Sequence, residues 1–186
     1  MIKISKGLDL PISGSPSLDI SDEPKVSSVA LLSNDYVGMK PTMFFKEGDH
    51  VNCGEKIFED KKNKGVFYCA PGSGLIKAVN RGDKRKFISI EIDLDNEEEF
   101  IEFNDQENFI NLLQETGLWN SFRTRPFNRT PAISDIPKGI FINCCDTNPL
   151  SVDPYEIIKY DQDLFDLGLE IFCLLYTSDA ADDVAS

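Results

Sequence analysis

Cysteines and a single histidine are the residues of this chain whose types could support metal binding or redox chemistry. The chain contains five cysteines and one histidine, and no two cysteines form a Cys-x-x-Cys pair. This spacing excludes the usual zinc and iron–sulfur sites, so we predict no metal-binding residue. The residues concerned are Cys53, Cys69, Cys144, Cys145, Cys173 and His50.

Neither the adjacent cysteines nor the histidine indicates catalysis. Cys144 and Cys145 lie in an apolar segment and could form a redox pair, but buried cysteines mostly behave as small apolar side chains, and we favour that interpretation. His50 follows a Gly-Asp turn, and no serine, cysteine or carboxylate motif accompanies it to indicate a nucleophilic relay. We expect an exposed turn residue there and predict no catalytic residue.

Three arginines, Arg123, Arg125 and Arg129, lie within seven residues and are interleaved with prolines. Guanidinium groups this close together could bind a phosphate or a carboxylate. No glycine-rich helix start stands beside them, however. A loop that faces a partner, or one that is paired internally, is therefore an equal alternative.

A cluster of turn residues, Ala-Pro-Gly-Ser-Gly at 70–74, is the only short glycine pattern that could suggest a phosphate site. It is too short for a dinucleotide fingerprint, and the residues after it are typical of a strand rather than a helix. We interpret it as a turn.

The composition narrows the classes of partner. The net charge of −13 over 186 residues would repel nucleic-acid phosphates, so we expect no nucleic-acid binding. No apolar run is long enough to span a membrane, and the first residues lack the apolar core of a signal peptide. These features predict a cytosolic chain.

Residues 28–95 alternate short β-rich runs with glycine, proline, asparagine and aspartate, a pattern that predicts a small sandwich or barrel. A quasi-repeat lies inside this region, because Glu-Gly-Asp at 47–49 and Arg-Gly-Asp at 81–83 each precede a β-rich run. We expect Gly48 and Gly82 to supply positive φ angles, Asp49 and Asp83 to cap the turns, and two related halves to pack around one core. The predicted strands are 29–32, 42–45, 56–59, 66–69, 74–79 and 87–93.

An acidic stretch at 95–99 predicts a solvated loop and a domain boundary. The hydrophobic period changes from two to 3.6 after it, which predicts a helix capped by Asn104 or Asp105 and ended by Gly117. An apolar strand is predicted at 139–144, then a polar turn and a helix starting at Asp153 and Pro154. A strand followed by helices indicates the truncated start of an α/β, Rossmann-like domain.

The last residues, 173–186, abandon the preceding pattern and read as a non-native tail of the kind that sequencing-adapter read-through produces. We therefore expect them to pack poorly. The predicted organisation is α+β: a β module at 1–100, the start of an α/β domain at 101–172 and the tail at 173–186.

Seven motifs in order make residues 1–172 resemble the N-terminal part of the NqrA family, the A subunits of sodium-translocating NADH:quinone reductases. The resemblance implies that the N-terminal module is a barrel-sandwich hybrid similar to biotinyl and lipoyl domains. The motifs are Lys-Gly-Leu-Asp-Leu-Pro-Ile at 6–12, Tyr-Val-Gly-Met-Lys-Pro-Thr-Met at 36–43, Glu-Gly-Asp-x-Val at 47–51, Phe-Glu-Asp-Lys-Lys-Asn at 58–63, Thr-Gly-Leu-Trp at 116–119, Arg-Thr-Arg-Pro-Phe at 123–127 and Asp-Thr-Asn-Pro-Leu at 146–150.

The resemblance also implies a function. The family's complex passes electrons from NADH to ubiquinone and couples this to sodium export, with FAD, FMN, riboflavin and an iron–sulfur centre in partner subunits. The A subunit is peripheral on the cytoplasmic face of the bacterial inner membrane, carries no prosthetic group and contacts chiefly the membrane-embedded B subunit. Ubiquinone is a candidate ligand, and Trp119, Phe122 and Phe127 offer it a stacking surface, although a place in the core or in an interface is the better interpretation of these aromatics.

Two alternative functions follow from the same likeness. A lipoyl or biotinyl carrier would need a modifiable hairpin lysine between methionines, whereas Asn63 stands at the expected place. An electron-transfer protein similar to the C subunit of Rnf complexes would need a glycine-rich nucleotide loop. Bulky residues fill the corresponding segment, 117–126, so its backbone amides could not approach a pyrophosphate. We expect no catalytic or cofactor-binding residue in this chain.

Overall fold

Two antiparallel β-sheets form the core of the structure, a computed structural model that describes residues 11–19, 26–97, 99–103, 108–144, 146 and 148–180. The first sheet has the strand order β1-β7-β6-β3, and the second has the order β2-β4-β5. The strands are β1 (Ser28–Leu32), β2 (Pro41–Met43), β3 (His50–Val51), β4 (Lys56–Asp60), β5 (Phe67–Cys69), β6 (Gly74–Arg81) and β7 (Phe87–Leu94).

Alternating side chains of these strands form one buried core. In β6 the buried Ile76 lies between the exposed Leu75 and Lys77, and in β7 the buried Ile90 and Ile92 flank the half-buried Glu91. Period-two burial of this kind is what one buried face of a sheet requires. The two sheets meet through Phe58 of β4, which stacks on Tyr68 with ring centroids 4.7 Å apart and contacts Phe87 edge to face at 5.4 Å.

The six predicted strands are confirmed, and the structure adds the two-residue strand β3. The quasi-repeat is confirmed in its first copy, where Gly48 has φ +86° and the Asp49 carboxylate accepts the backbone N–H of Lys46 at 2.9 Å. The second copy is wrong in detail. Gly82 has φ −95°, and the left-handed backbone falls instead on Lys84 and Arg85, which reverse the chain in the short turn Asp83–Arg85.

In the acidic stretch, Asp95, Glu97 and Glu99 have exposed side chains, but backbone hydrogen bonds hold Asp95 and Glu99 in place. Ser73, which is buried, accepts the backbone N–H of Asp95 at its carbonyl oxygen and that of Glu99 at its hydroxyl, both at 3.0 Å. The backbone of Cys53 then pairs with Glu99 and Ile101 at 2.8 and 2.9 Å. The predicted solvated loop is thus a segment whose backbone is bonded to the β module.

A short helix, α1 (Phe109–Glu115), follows and leads into a 3₁₀ turn, Leu118–Ser121. The N-cap of α1 is Asn108, whose side-chain oxygen accepts the N–H groups of Ile110 and Asn111. The prediction of Asn104 or Asp105 as the cap is therefore wrong, and those two residues lie outside the described part of the chain. The predicted end is confirmed, since Gly117 adopts φ +74° just after the helix.

The chain divides into two compact units, Lys25–Ile136 and Met1–Pro24 with Pro137–Ser186. The first contains both sheets and α1. The second contains α2 (Pro154–Ile158), capped by Asp153 as predicted, and α3 (Gln162–Ala180). The predicted domain boundary near residue 100 and the poor packing of the tail both remain predictions.

The strand predicted at 139–144 is wrong. Residues 139–144 form no strand in the structure, and the Phe141 side chain is 96% exposed. A strand needs a hydrogen-bonded neighbour, so an apolar run does not by itself make one. Cys144 is accordingly exposed rather than buried, and Cys145 lies outside the described residues.

Candidate functional site

The hairpin between β4 and β5 stands where a carrier domain would present its modified lysine. Asp60, only 8% exposed, fixes the start of this turn because its carboxylate accepts the backbone N–H groups of Lys40 and Lys62, both at 3.0 Å. Glu59 fixes the end of the turn by accepting the N–H of Gly65 at 2.7 Å. The two neighbouring carboxylates thus hold both ends of the hairpin tip in place.

Asn63, at the predicted place in this tip, is tied to the rest of the unit. Its side-chain nitrogen donates to the carbonyl oxygen of Pro131 at 2.9 Å and lies 3.4 Å from that of Thr130. A carrier side chain has to project freely so that it can reach several partners. The structure instead uses this position as an internal contact.

The segment that receives Asn63 also covers the hairpin. A Cβ atom added to Gly65 would lie 3.2 Å from the side-chain nitrogen of Gln114 in α1 and 3.4 Å from Cγ1 of Ile133. Lys62 donates to the carbonyl oxygen of Gly38 at 2.7 Å, so this lysine is occupied as well. Neighbouring segments therefore contact the hairpin tip at Lys62, Asn63 and Gly65, while Lys61 and Lys64 are exposed.

The segment 117–126, which corresponds to a nucleotide loop in related folds, packs closely on β5. A Cβ atom at Gly117 would lie 2.9 Å from the Cys69 sulfur, so only glycine permits this approach. Trp119 is 8% exposed and donates its indole N–H to the carbonyl oxygen of Pro131 at 3.0 Å. Trp119 also contacts Phe122 edge to face at 5.3 Å. The tryptophan is a core residue.

The three aromatic residues proposed as a stacking surface are not brought together. Trp119 and Phe122 are in contact, but Phe127 is 69% exposed on a separate turn. The interpretation of Trp119 as a core residue is confirmed.

Arg123 is paired internally rather than with a ligand. Its guanidinium donates to the carbonyl oxygens of Asn120 and Phe122, the latter at 3.0 Å, and lies 5.6 Å from the ring centroid of Tyr36. Arg125 and Arg129 are exposed. The three arginines do not form one anion site, because the first points its donors at backbone oxygens.

A cleft of about 480 Å³ lies between β5 and the 3₁₀ turn Leu118–Ser121. Cavities of this size are in the range that binds small ligands. Asn120 lies at its wall and donates to the carbonyl oxygen of Phe67 at 2.6 Å, while its side-chain oxygen is buried and has no hydrogen-bond partner among the described residues. Its other lining residues include Tyr36, Cys53, Cys69, Leu118 and Arg123.

The Cys69 thiol and the Tyr68 hydroxyl at this cleft are protonated at physiological pH. Burial raises the pKa of the Cys69 thiol to about 11, nearby Glu115 adds to the rise, and Lys56 opposes it. Burial likewise raises the pKa of Tyr68 to about 12. A thiol with such a pKa is a poor nucleophile at neutral pH, since the thiolate is the reactive form. At Cys69 the cleft therefore offers a protonated thiol rather than a reactive thiolate.

His50 is exposed, as predicted, but it belongs to strand β3, and its Nε2 atom lies 2.7 Å from the Asp95 carboxylate. The pairing of His50 with Asp95 could not be predicted from local sequence, because the two residues are 45 positions apart. Within the described residues no group of three or more potential metal ligands occurs. Among the same residues no helix is both long and apolar enough to cross a membrane.

Comparison with known proteins agrees with this architecture. Residues 2–95 match the NqrA N-terminal barrel-sandwich hybrid domain, and residues 104–180 match the NqrA second alpha/beta domain. The chain belongs to the NqrA family. Family membership confirms the predicted fold class, a barrel-sandwich hybrid followed by an α/β domain.

Several relatives in the NqrA family are named as the A subunit of Na(+)-translocating NADH-quinone reductase. Those from Yersinia pestis bv. Antiqua (strain Angola) and Klebsiella pneumoniae (strain 342) are each 44% identical, over 94% of this chain and 41% of the relative. That from Hahella chejuensis (strain KCTC 2396) is 47% identical, over 92% of this chain and 40% of the relative. The chain thus spans about 41% of the length of these NqrA relatives.

Proposed function

We propose that this chain acts as part of the A subunit of a sodium-translocating NADH:ubiquinone oxidoreductase, in which it is an architectural module rather than a catalyst. The complex would couple electron transfer from NADH to ubiquinone to the export of sodium. The names of the relatives support this assignment. The observation that carries the architectural role is the bond from Asn63 to Pro131, which turns a carrier-type hairpin into a packing contact.

The prosthetic groups of such a complex, namely FAD, FMN, riboflavin and an iron–sulfur centre, would reside in partner subunits. Trp119 supports this part of the proposal, because its indole is packed into the segment where a nucleotide loop would need open backbone amides. Calorimetric titration of the full chain with FMN and with NADH tests it. Saturable binding of either compound would contradict it, and the absence of a binding isotherm is the expected result.

The chain would lie on the cytoplasmic face of the bacterial inner membrane and contact the membrane-embedded B subunit. The test is complementation in a bacterium from which the gene for its own A subunit is deleted. The longest gene product that contains this chain should restore sodium-stimulated quinone reduction by NADH in isolated membranes. Loss of sodium stimulation despite a stably expressed protein would overturn the assignment.

Ubiquinone is the ligand that we propose for the cleft beside β5. A quinone head group is planar, and the aromatic ring of Tyr36 and the apolar side chain of Leu118 both line the cleft. Substitution of Leu118, an exposed residue of the rim, by Arg should weaken binding of a short-chain ubiquinone analogue. Equal binding by the full chain and this variant would exclude the cleft.

A further inference from the structure

Residues 124–129, which we call the arginine turn, form a loop whose two ends are bonded to each other. The backbone N–H and the hydroxyl of Thr124 both donate to the carbonyl oxygen of Arg129, at 2.8 and 3.1 Å. The N–H of Asn128 donates to the carbonyl oxygen of Thr124 at 2.8 Å. Three hydrogen bonds across so few residues give the turn a defined shape before any partner binds.

The side chains that the arginine turn presents are Arg125, Phe127 and Arg129. All three are exposed, and the guanidinium of Arg129 lies 5.9 Å from the centroid of the Phe127 ring. Neither arginine forms an ion pair with any residue that the structure describes. Arg123 differs from these two arginines, because its guanidinium donates to backbone carbonyl oxygens.

We propose that the arginine turn is a docking site for an acidic protein surface that contains an apolar socket. Phe127 would enter the socket, and Arg125 and Arg129 would pair with carboxylates on its rim. An exposed aromatic residue alone is common on protein surfaces. An exposed aromatic residue with an arginine two positions away on either side in the sequence has the composition of an interface centre, and a preformed turn loses little conformational freedom on binding.

The charge of the chain favours a protein partner over a lipid surface. The net charge of −13 would repel an anionic membrane, whereas two arginines on one turn suit a local acidic patch. This proposal rests on the proposed function, because we place the acidic surface on another polypeptide of the reductase. A binding experiment with matched variants distinguishes failure of the docking proposal from failure of the proposed function.

The test measures binding of the full chain to immobilised reductase particles from which the A subunit is missing. The variants are Arg125→Glu with Arg129→Glu, and separately Phe127→Ala. The matched control is Arg81→Glu with Arg85→Glu, which makes the same change of charge at two exposed arginines at the end of β6. Circular dichroism confirms that each variant is folded.

We expect each turn variant to weaken binding by about tenfold or more, and the control to stay within about twofold of the full chain. We also expect the affinity of the full chain to fall as salt rises. If the full chain binds and the turn variants bind equally well, the docking proposal is overturned while the proposed function stands. If the full chain does not bind the particles at all, both are overturned.

Vesicles of phosphatidylglycerol and phosphatidylcholine provide the second arm of the test. The full chain should not bind them, because its net charge opposes association with anionic lipid. Vesicle binding that is lost in the double arginine variant would assign the turn to the membrane and overturn the proposal of a protein partner.

Discussion

The side chain of Asn63, at the tip of the β4–β5 hairpin, donates a hydrogen bond to the carbonyl oxygen of Pro131, 68 positions later in the chain, at 2.9 Å. The same carbonyl oxygen accepts the indole N–H of Trp119 at 3.0 Å. The carbonyl oxygen of Pro131 therefore connects the hairpin and the 3₁₀ turn Leu118–Ser121 to the segment that contains Pro131. The hairpin contributes to the stability of this unit and is not free to swing.

Replacing Asn63 should destabilise the chain in a graded way. Asn63→Ala removes the donor and should lower the free energy of unfolding by about 1–2 kcal/mol. Asn63→Asp places a carboxylate against two carbonyl oxygens and should cost about 1 kcal/mol more at neutral pH. Urea denaturation of the full chain measures both effects.

Asn34→Ala is the matched control, since Asn34 is an exposed asparagine of a 3₁₀ turn in the same unit, Ser33–Asp35. It should change the free energy of unfolding by less than about 0.5 kcal/mol. Similar values for the Asn34 and Asn63 variants would mean that the hairpin contact contributes nothing.

Gly117 should tolerate substitution poorly. Gly117→Ala forces an alanine to adopt φ +74° and places its Cβ atom 2.9 Å from the Cys69 sulfur, so we expect a loss of about 2–3 kcal/mol. Gly48 has φ +86° with no atom within 4 Å of an added Cβ, so Gly48→Ala should cost only about 1 kcal/mol from backbone strain. Denaturation midpoints compare the two variants.

A double-mutant cycle isolates the steric part of this effect. Cys69→Ala removes the sulfur, so combining it with Gly117→Ala should recover part of the lost stability, while the backbone strain remains. Strict additivity of the two substitutions would show that Gly117 and Cys69 do not make the close contact described.

Local signals explain which parts of the fold could be predicted from the sequence. Alternating apolar residues and turn residues are recognised within a few positions, and the six predicted strands are confirmed. The strand β3 has only two residues, and it forms because His50 pairs with Leu75, which lies in a later strand. The N-cap of α1 was predicted at the wrong residue because Asn104, Asp105 and Asn108 are all suitable residue types, and tertiary contacts decide among them.

The candidate site was predictable only in outline. Residue type and the spacing to the following turn located Asn63, but nothing near it in sequence indicates that Pro131 accepts its hydrogen bond. The apolar run at 139–144 shows the opposite difficulty. Its composition is that of a buried strand, but a strand forms only beside a partner, and burial of Phe141 cannot be predicted from its own segment.

The exposure of Phe141 gives a prediction with an internal control. Phe141→Leu should change the free energy of unfolding by less than about 0.5 kcal/mol, because the ring is almost wholly in solvent. The same substitution at Phe58, which is fully buried between the sheets, should cost about 1–2 kcal/mol. Chemical denaturation checks both, and a comparable loss at the two positions would mean that residues 139–144 are packed after all.

Stability should fall in alkaline solution through the Cys69 thiol. Burial raises its pKa in the folded chain to about 11, from an ordinary value of 9.0, so the folded state favours the protonated form. The corresponding stabilisation is fully present below pH 9 and is lost as the pH rises to about 11. Since the thiol is partly exposed, we expect the loss to be at most about 2 kcal/mol.

Cys69→Ala supplies the comparison that isolates this thiol from other alkaline effects, including the ionisation of Tyr68, whose raised pKa of about 12 is common to both proteins. Urea midpoints measured from pH 8 to 11 should converge, because the full chain loses stability that the variant never had. Parallel curves for the two proteins would show that the Cys69 thiol ionises equally in the folded and unfolded chains. The wall of the cleft beside β5 would then be open to water at the Cys69 sulfur, and burial would not raise the pKa of this thiol.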